Sequence, residues 1–149
     1  MQESGTLDTG PYLKAAVICS DVIEGKDGVL SFIRIIDRLT ITVAGAQPPS
    51  DMPPLPPQPL KFVLMLISGR ARGTHDLTLR VERPDASVTD VWNGNVFLEG
   101  EDRGANVIID AGIKFQQEGL YWFDVYLDGA PLTRMPFRLI YQRVGGAPA

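Results

Sequence analysis

GLYWFDVYLDG, residues Gly119 to Gly129, reads as one β-strand running into a turn. Strand side chains alternate, so Tyr121, Phe123, Val125 and Leu127 share one face, and Leu120, Trp122, Asp124 and Tyr126 the other. The first set belongs to a core. The second should face water, yet it holds a tryptophan, a tyrosine and a leucine, and something must cover them.

Outward from this strand, short segments rich in Val, Ile, Leu, Phe and Tyr alternate with clusters of Gly, Pro, Asp and Asn, a spacing that predicts an all-β sandwich or barrel. The first strand is expected at Leu13–Ile18, apolar on both faces, followed by a turn at Glu24–Gly28. A second runs from Val29 to Val43 with Val29, Ile33, Ile35, Leu39 and Ile41 inward. A helix through Val29, Phe32, Ile33, Ile36 and Leu39 fits its first half, but the β-branched content and the lack of a cap favour strand. Further strands are expected at Leu60–Ser68, His75–Arg83, Val96–Glu99 and Val107–Phe115, the last two being Gly119–Leu127 and Met135–Gln142. Trp92 precedes Asn93–Gly94, which reads as a turn and leaves the indole half exposed.

The final hairpin is a test of parity. A two-residue turn at Asp128 and Gly129 sets Phe123 opposite Arg134 and puts Arg134 and Arg138 on the core face, where Met135, Phe137, Leu139 and Tyr141 clearly belong. Either the loop has an odd number of residues or the strand bulges. A three-residue loop, Leu127–Gly129, satisfies the parity and places Phe123 opposite Thr133 and Trp122 opposite Arg134. An arginine laid on an indole shields the ring while its own charge stays in water.

The chain of 149 residues, 44% hydrophobic, suits one domain with its own core. A net charge of −4 gives no electrostatic reason to bind nucleic acid. Cys19 is the single cysteine, lies in AAVICS, and reads as a buried small hydrophobe in a reducing compartment. No secretory signal is visible at the N-terminus, and the longest apolar runs are far short of the about 20 residues that span a bilayer. These features predict a cytoplasmic protein without a membrane partner. Residues 1–11 and 145–149 are expected to be loose.

Catalytic and metal chemistry finds little support. One histidine and one cysteine do not make a zinc site. His75 could act as a base beside Asp76, but neighbours on a strand point to opposite faces, and a polar residue at a strand start is the simpler reading. Glu99–Gly104, EGEDRG, lacks the alternating acidic spacing of a calcium loop and reads as a solvated hairpin. No nucleophile elbow and no phosphate loop occur, and no cofactor is implied. In QPPSDMPPLPPQP, Gln47–Pro59, seven of thirteen residues are proline. Such a run favours polyproline II and serves either as a strap between sheets or as a ligand for an aromatic groove; the strap is preferred.

The residues Cys19–Asp21, then Gly119, Tyr121, Phe123, Val125, Leu127, Asp128 and Gly129, then Pro136, Phe137 and Arg138, resemble a family of short bacterial proteins known as a domain of unknown function. The likeness is loose over most of the chain and close over its last 25 residues. It implies an immunoglobulin-like or related β-sandwich and implies no activity. The Gly-x-Tyr start of the Gly119 strand also matches a tyrosine corner, in which the phenol bonds back to nearby backbone.

Together these readings predict a single-domain antiparallel β-sandwich, immunoglobulin-like or related, of seven to nine strands. It is expected to be non-enzymatic and to work through protein contact. The candidate interface is Leu120, Trp122, Tyr126, Arg134 and Ile140, an apolar outer face suited to a homo-oligomer or a protein partner. The alternative is a carbohydrate or small-molecule module stacking its ligand on Trp92, Trp122 and Tyr126.

Overall fold

The alternating apolar segments pair into nine strands in a computed structural model that describes residues 9–145. In chain order they are β1 (Tyr12–Glu24), β2 (Leu30–Ile35), β3 (Arg38–Gly45), β4 (Gln58–Gly69), β5 (Gly73–Glu82), β6 (Val88–Leu98), β7 (Glu101–Ile113), β8 (Gly119–Leu127) and β9 (Ala130–Gly145). They form a four-stranded sheet, β2-β1-β4-β7, and a five-stranded sheet, β3-β9-β8-β5-β6. The all-β, two-sheet expectation holds. The purely antiparallel one is corrected, because β3 runs parallel to β9 from Arg38↔Arg138 to Gly45↔Gly145. Of the termini expected to be loose, Gly145 is paired in β9, and residues 1–8 and 146–149 lie outside the described residues.

Aromatic rings fill the space between the sheets. Phe62 of β4 meets Phe123 of β8 with centroids 4.9 Å apart, and Phe123 meets Phe137 of β9 at 6.0 Å. Phe115, just past β7, plugs the same cluster, edge-on to Tyr121 at 4.9 Å and stacked on Phe137 at 5.7 Å. Tyr121 itself is buried and its hydroxyl donates to the Gln117 carbonyl, so the tyrosine corner is formed. Tyr121, Phe123, Val125 and Leu127 are all core residues, as their alternation predicts.

Three expectations fail, each for a reason of face. The segment Val29–Val43 is strand rather than helix, but it is two strands, broken at Ile36 and Asp37 where the chain passes from the edge of one sheet to the edge of the other. The crossing is fixed by Ile36 N–H donating to the Ile18 carbonyl and by Arg138 N–H donating to the Asp37 carbonyl. Leu39 and Ile41 pack on the core, whereas Val29, Ile33 and Ile35 are exposed. The short strand expected at Val96–Glu99 is the long β6, because Asn93–Gly94 lies mid-strand opposite Thr78 and Leu77. A Cβ on Gly94 would come within 2.4 Å of the Trp92 ring, so the glycine makes room for an indole lying along its own strand.

The last hairpin takes the other solution to its parity problem. Asp128 (φ 49°) and Gly129 (φ 80°) form a two-residue turn of the type that matches strand twist, and Leu127 pairs with Ala130. The register then shifts between Tyr126↔Pro131 and Val125↔Thr133, leaving Leu132 as a bulge. Phe123 therefore faces Met135 and Trp122 faces Pro136, two residues from the expected partners Thr133 and Arg134.

The proline-rich segment acts as the strap. It crosses from β3, at the edge of the five-stranded sheet, to β4 inside the other, with Met52 buried and Leu55 against the core. Tyr141 of β9 donates its hydroxyl to the Pro49 carbonyl at 2.8 Å. Prolines lack the N–H that such a crossing would otherwise leave unpaired.

Two substitutions test this packing. Tyr121→Phe removes the corner bond from the half-buried Gln117 carbonyl and lowers unfolding free energy by about 1–2 kcal/mol, read as a lower urea midpoint at unchanged slope. Gly94→Ala expels the Trp92 ring from its notch at a cost of about 1–3 kcal/mol. In a Trp122→Phe background, that displacement shifts the remaining tryptophan emission to longer wavelength.

Candidate interaction surfaces

The outer face of the five-stranded sheet carries the predicted interface residues, and the structure does bring Leu120, Trp122, Tyr126, Arg134 and Ile140 onto that face. What covers the two rings is arginine. The Arg134 guanidinium lies 4.4 Å from the Trp122 ring centre and the Arg80 guanidinium 4.6 Å from that of Tyr126. The expected arginine on the indole is present, reaching Trp122 along the diagonal rather than from the opposite position.

Each guanidinium is held by carboxylates. Arg134 donates to Asp124 at 2.7 Å and to Glu82 at 3.1 Å, and Arg80 donates to Asp90 at 2.7 Å. Asp124 is only 7% exposed, and its position opposite both Arg134 and Arg80 explains how a carboxylate is tolerated there. Sequence reading placed Asp124 on this face without assigning it a role. Its partners come from β5 and β9, which alternation alone does not bring into register.

Trp92 does not join Trp122 and Tyr126. It pairs with Leu79, a core residue, and so stands on the inner side of the sheet, packed against the core. The three rings suggested for ligand stacking thus divide between opposite faces.

Exposed apolar surface gathers elsewhere, on the β1–β2 hairpin. Ile23 (54%), Val29 (62%), Ile33 and Ile35 (61%) are all exposed there, while none of Leu120, Trp122, Tyr126 or Ile140 is. Ile35 pairs with Cys19, Ile33 with Asp21 and Ser31 with Ile23, which puts the three isoleucines on one side of the hairpin. Between them Leu30 and Phe32 are half-buried. The hairpin tip comes back over its own sheet, since Gly28, Val29 and Leu30 share a cavity wall with Lys14, Met65 and Asn106. Cys19 is fully buried and burial pushes its thiol pKa up, consistent with a packing residue.

At one end of the molecule His75 finds a carboxylate that the sequence did not reveal. Its Nδ1 lies 2.6 Å from Asp128 Oδ2 and its Nε2 lies 2.9 Å from the Arg72 carbonyl. Asp76, the neighbour in sequence, instead donates its backbone N–H to Asp128 Oδ1 at 2.9 Å. The hydrogen bond to Asp128 raises the His75 pKa, and the same bond lowers that of Asp128. Glu99–Gly104 is the β6–β7 turn and the start of β7, with Glu99 paired to Arg103 and Glu101 to Arg72. Among the described residues no cluster of metal-ligating side chains occurs, and no helix is long and apolar enough to cross a membrane.

No curated protein sequence matches the chain. Among solved structures it is similar to the β-glucosidase of Listeria innocua, with TM-scores of 0.51 for the enzyme alone, 0.50 with glucose and 0.50 with isofagomine. Each likeness has 10% identity and covers 89% of this chain and 17% of that one, so it concerns the fold of one part of a much longer protein. The family of unknown function DUF6941 matches residues 14–140, from the first strand to the last and through the strand Gly119–Leu127 with its Asp128–Gly129 turn, and the chain belongs to that family.

Proposed function

We propose that the protein is a non-enzymatic contact module, cytoplasmic, which associates with a second copy of itself through the β1–β2 hairpin. The scaffold is of the immunoglobulin-like kind, a reading supported by the tyrosine corner at Tyr121. The lone buried Cys19 supports a reducing setting.

The observation that carries the proposal is the coincidence of exposed apolar side chains with an unpaired sheet edge. β2 ends its sheet and pairs only with β1 among the described residues, so one row of its N–H and C=O groups is open. It contains neither lysine nor proline, and its one charged residue, Arg34, stands between the exposed Ile33 and Ile35. The face of two strands about 4.8 Å apart and six residues long measures on the order of 200 Å², well below the about 800 Å² per partner of a stable interface. Side-chain contact alone is therefore too small. Pairing the open edges of two copies adds main-chain hydrogen bonds and continues one sheet into the next, which brings the isoleucines of both hairpins together. The outer face of β8 is the weaker candidate because ion pairs already hold an arginine over each of its rings.

Light scattering across a concentration series tests this. The natural chain is expected at twice the chain mass, and an Ile33→Ser, Ile35→Ser variant at the chain mass with unchanged circular dichroism. A natural chain that stays monomeric overturns the proposal. So does a dimer that survives those changes but is lost with Trp122→Ser, Tyr126→Ser.

A further inference from the structure

The environment of His75 differs from that of an ordinary surface histidine, because both ring nitrogens face acceptors. Asp128 Oδ2 lies on one side at 2.6 Å and the Arg72 carbonyl on the other at 2.9 Å. A neutral imidazole has a single N–H, so only the doubly protonated ring donates to both. His75 pairs with Val96 and alternates with Leu77, so it sits on the inner side of the sheet at the end of the core. Its side chain is 21% exposed, which leaves a route for the proton to water.

The two acceptors belong to different parts of the chain. Asp128 is the first residue of the β8–β9 turn, and its backbone N–H also donates to the Asp76 carbonyl. Arg72 is the residue immediately before β5, and its guanidinium donates to the Glu99 carbonyl in the β6–β7 turn at 2.7 Å and to Glu101 at the start of β7 at 3.3 Å. The charged groups around the ring are thus Asp128 from the β8–β9 turn, Asp76 from β5 itself, and the Arg72, Glu99, Glu101 and Arg103 cluster beyond the Arg72 carbonyl. Val96, the partner on β6, adds no charge.

We propose that His75 is a proton-dependent clasp: the imidazolium ties the β8–β9 turn to the loop leading into β5, and loss of its proton releases that end of the molecule. On deprotonation one of the two bonds becomes a contact between a lone pair and an acceptor. If the ring keeps its N–H toward Asp128, the Arg72 carbonyl loses its donor, and the loop that anchors the β6–β7 turn through the Arg72 guanidinium is loosened with it.

The direction with pH follows from linkage. His75 is held above its ordinary pKa, so the clasp contributes fully below the unfolded value of about 6.5 and is lost as pH rises through the folded midpoint. His75 is the only histidine, so its ring resonances in the full chain are read without ambiguity. Asp128→Asn is a clean second variant, because Asn suits this turn type and its side-chain oxygen still accepts the Asp76 N–H.

The experiment is an NMR titration of the ring combined with amide-exchange protection factors for Gly73, Asp76 and Asp128. The expected result is a midpoint above that of a free histidine, lowered in Asp128→Asn, with protection at those amides falling above the midpoint while β4 stays protected. His75→Gln should abolish the pH step in local protection and leave the fold intact. A midpoint at or below the ordinary value, or a titration that leaves protection at those amides unchanged, overturns the clasp.

Discussion

Alternation of side chains along a strand is the constraint on which this structure depends. Within the largely aliphatic core lies an aromatic cluster, and Phe62, Phe123 and Phe137 must reach it from three strands in two sheets, with Tyr121 and Phe115 closing one side. A shift of one residue in any strand would send its rings to solvent and its arginines inward. The chain keeps the phase by local departures from regularity. The bulge at Leu132 restores Met135, Phe137 and Leu139 to the core, and a register shift between Leu79 and Arg80 does similar work where β5 meets β6.

That constraint also explains what could be read from the sequence. The all-β class and the core set of β8 and β9 follow from alternation, because each is a property of one segment. The crossing at Ile36 and Asp37 does not. Val29 to Val43 keeps one alternating pattern throughout, but the chain changes sheet halfway, so residues in phase with Leu39 and Ile41 need not face the same core. Asn93–Gly94 misled in another way, since the dipeptide that most often marks a hairpin turn here supplies space for the Trp92 ring.

Partners distant in sequence were the least legible. Asp128 stands 53 residues from His75, and Glu82 stands 52 from Arg134; neither pairing leaves a mark within a short window. The parity argument did anticipate an arginine over Trp122, although from a different loop geometry. It succeeded because Arg134 falls on the outer face under either solution, and a long side chain spans the difference between opposite and diagonal positions.

The outward apolar residues of the five-stranded sheet and those of the β1–β2 hairpin are treated differently, and the difference bears on function. On the five-stranded sheet each ring has an arginine above it, and each arginine is held by one or two carboxylates, so displacing the cover would break an ion pair as well as a cation–π contact. On the β1–β2 hairpin no such cover exists among the described residues. The charged residues of the hairpin, Asp21, Glu24, Lys26, Asp27 and Arg34, take no part in an ion pair among the described residues, and Ile23, Val29, Ile33 and Ile35 meet solvent directly. A β-glucosidase likeness confined to the fold gives no reason to look for a sugar site on either surface. Exposed isoleucines beside an open edge are costly for an isolated chain, and a surface that buries both at once removes both costs, which is why the hairpin is the place to expect contact.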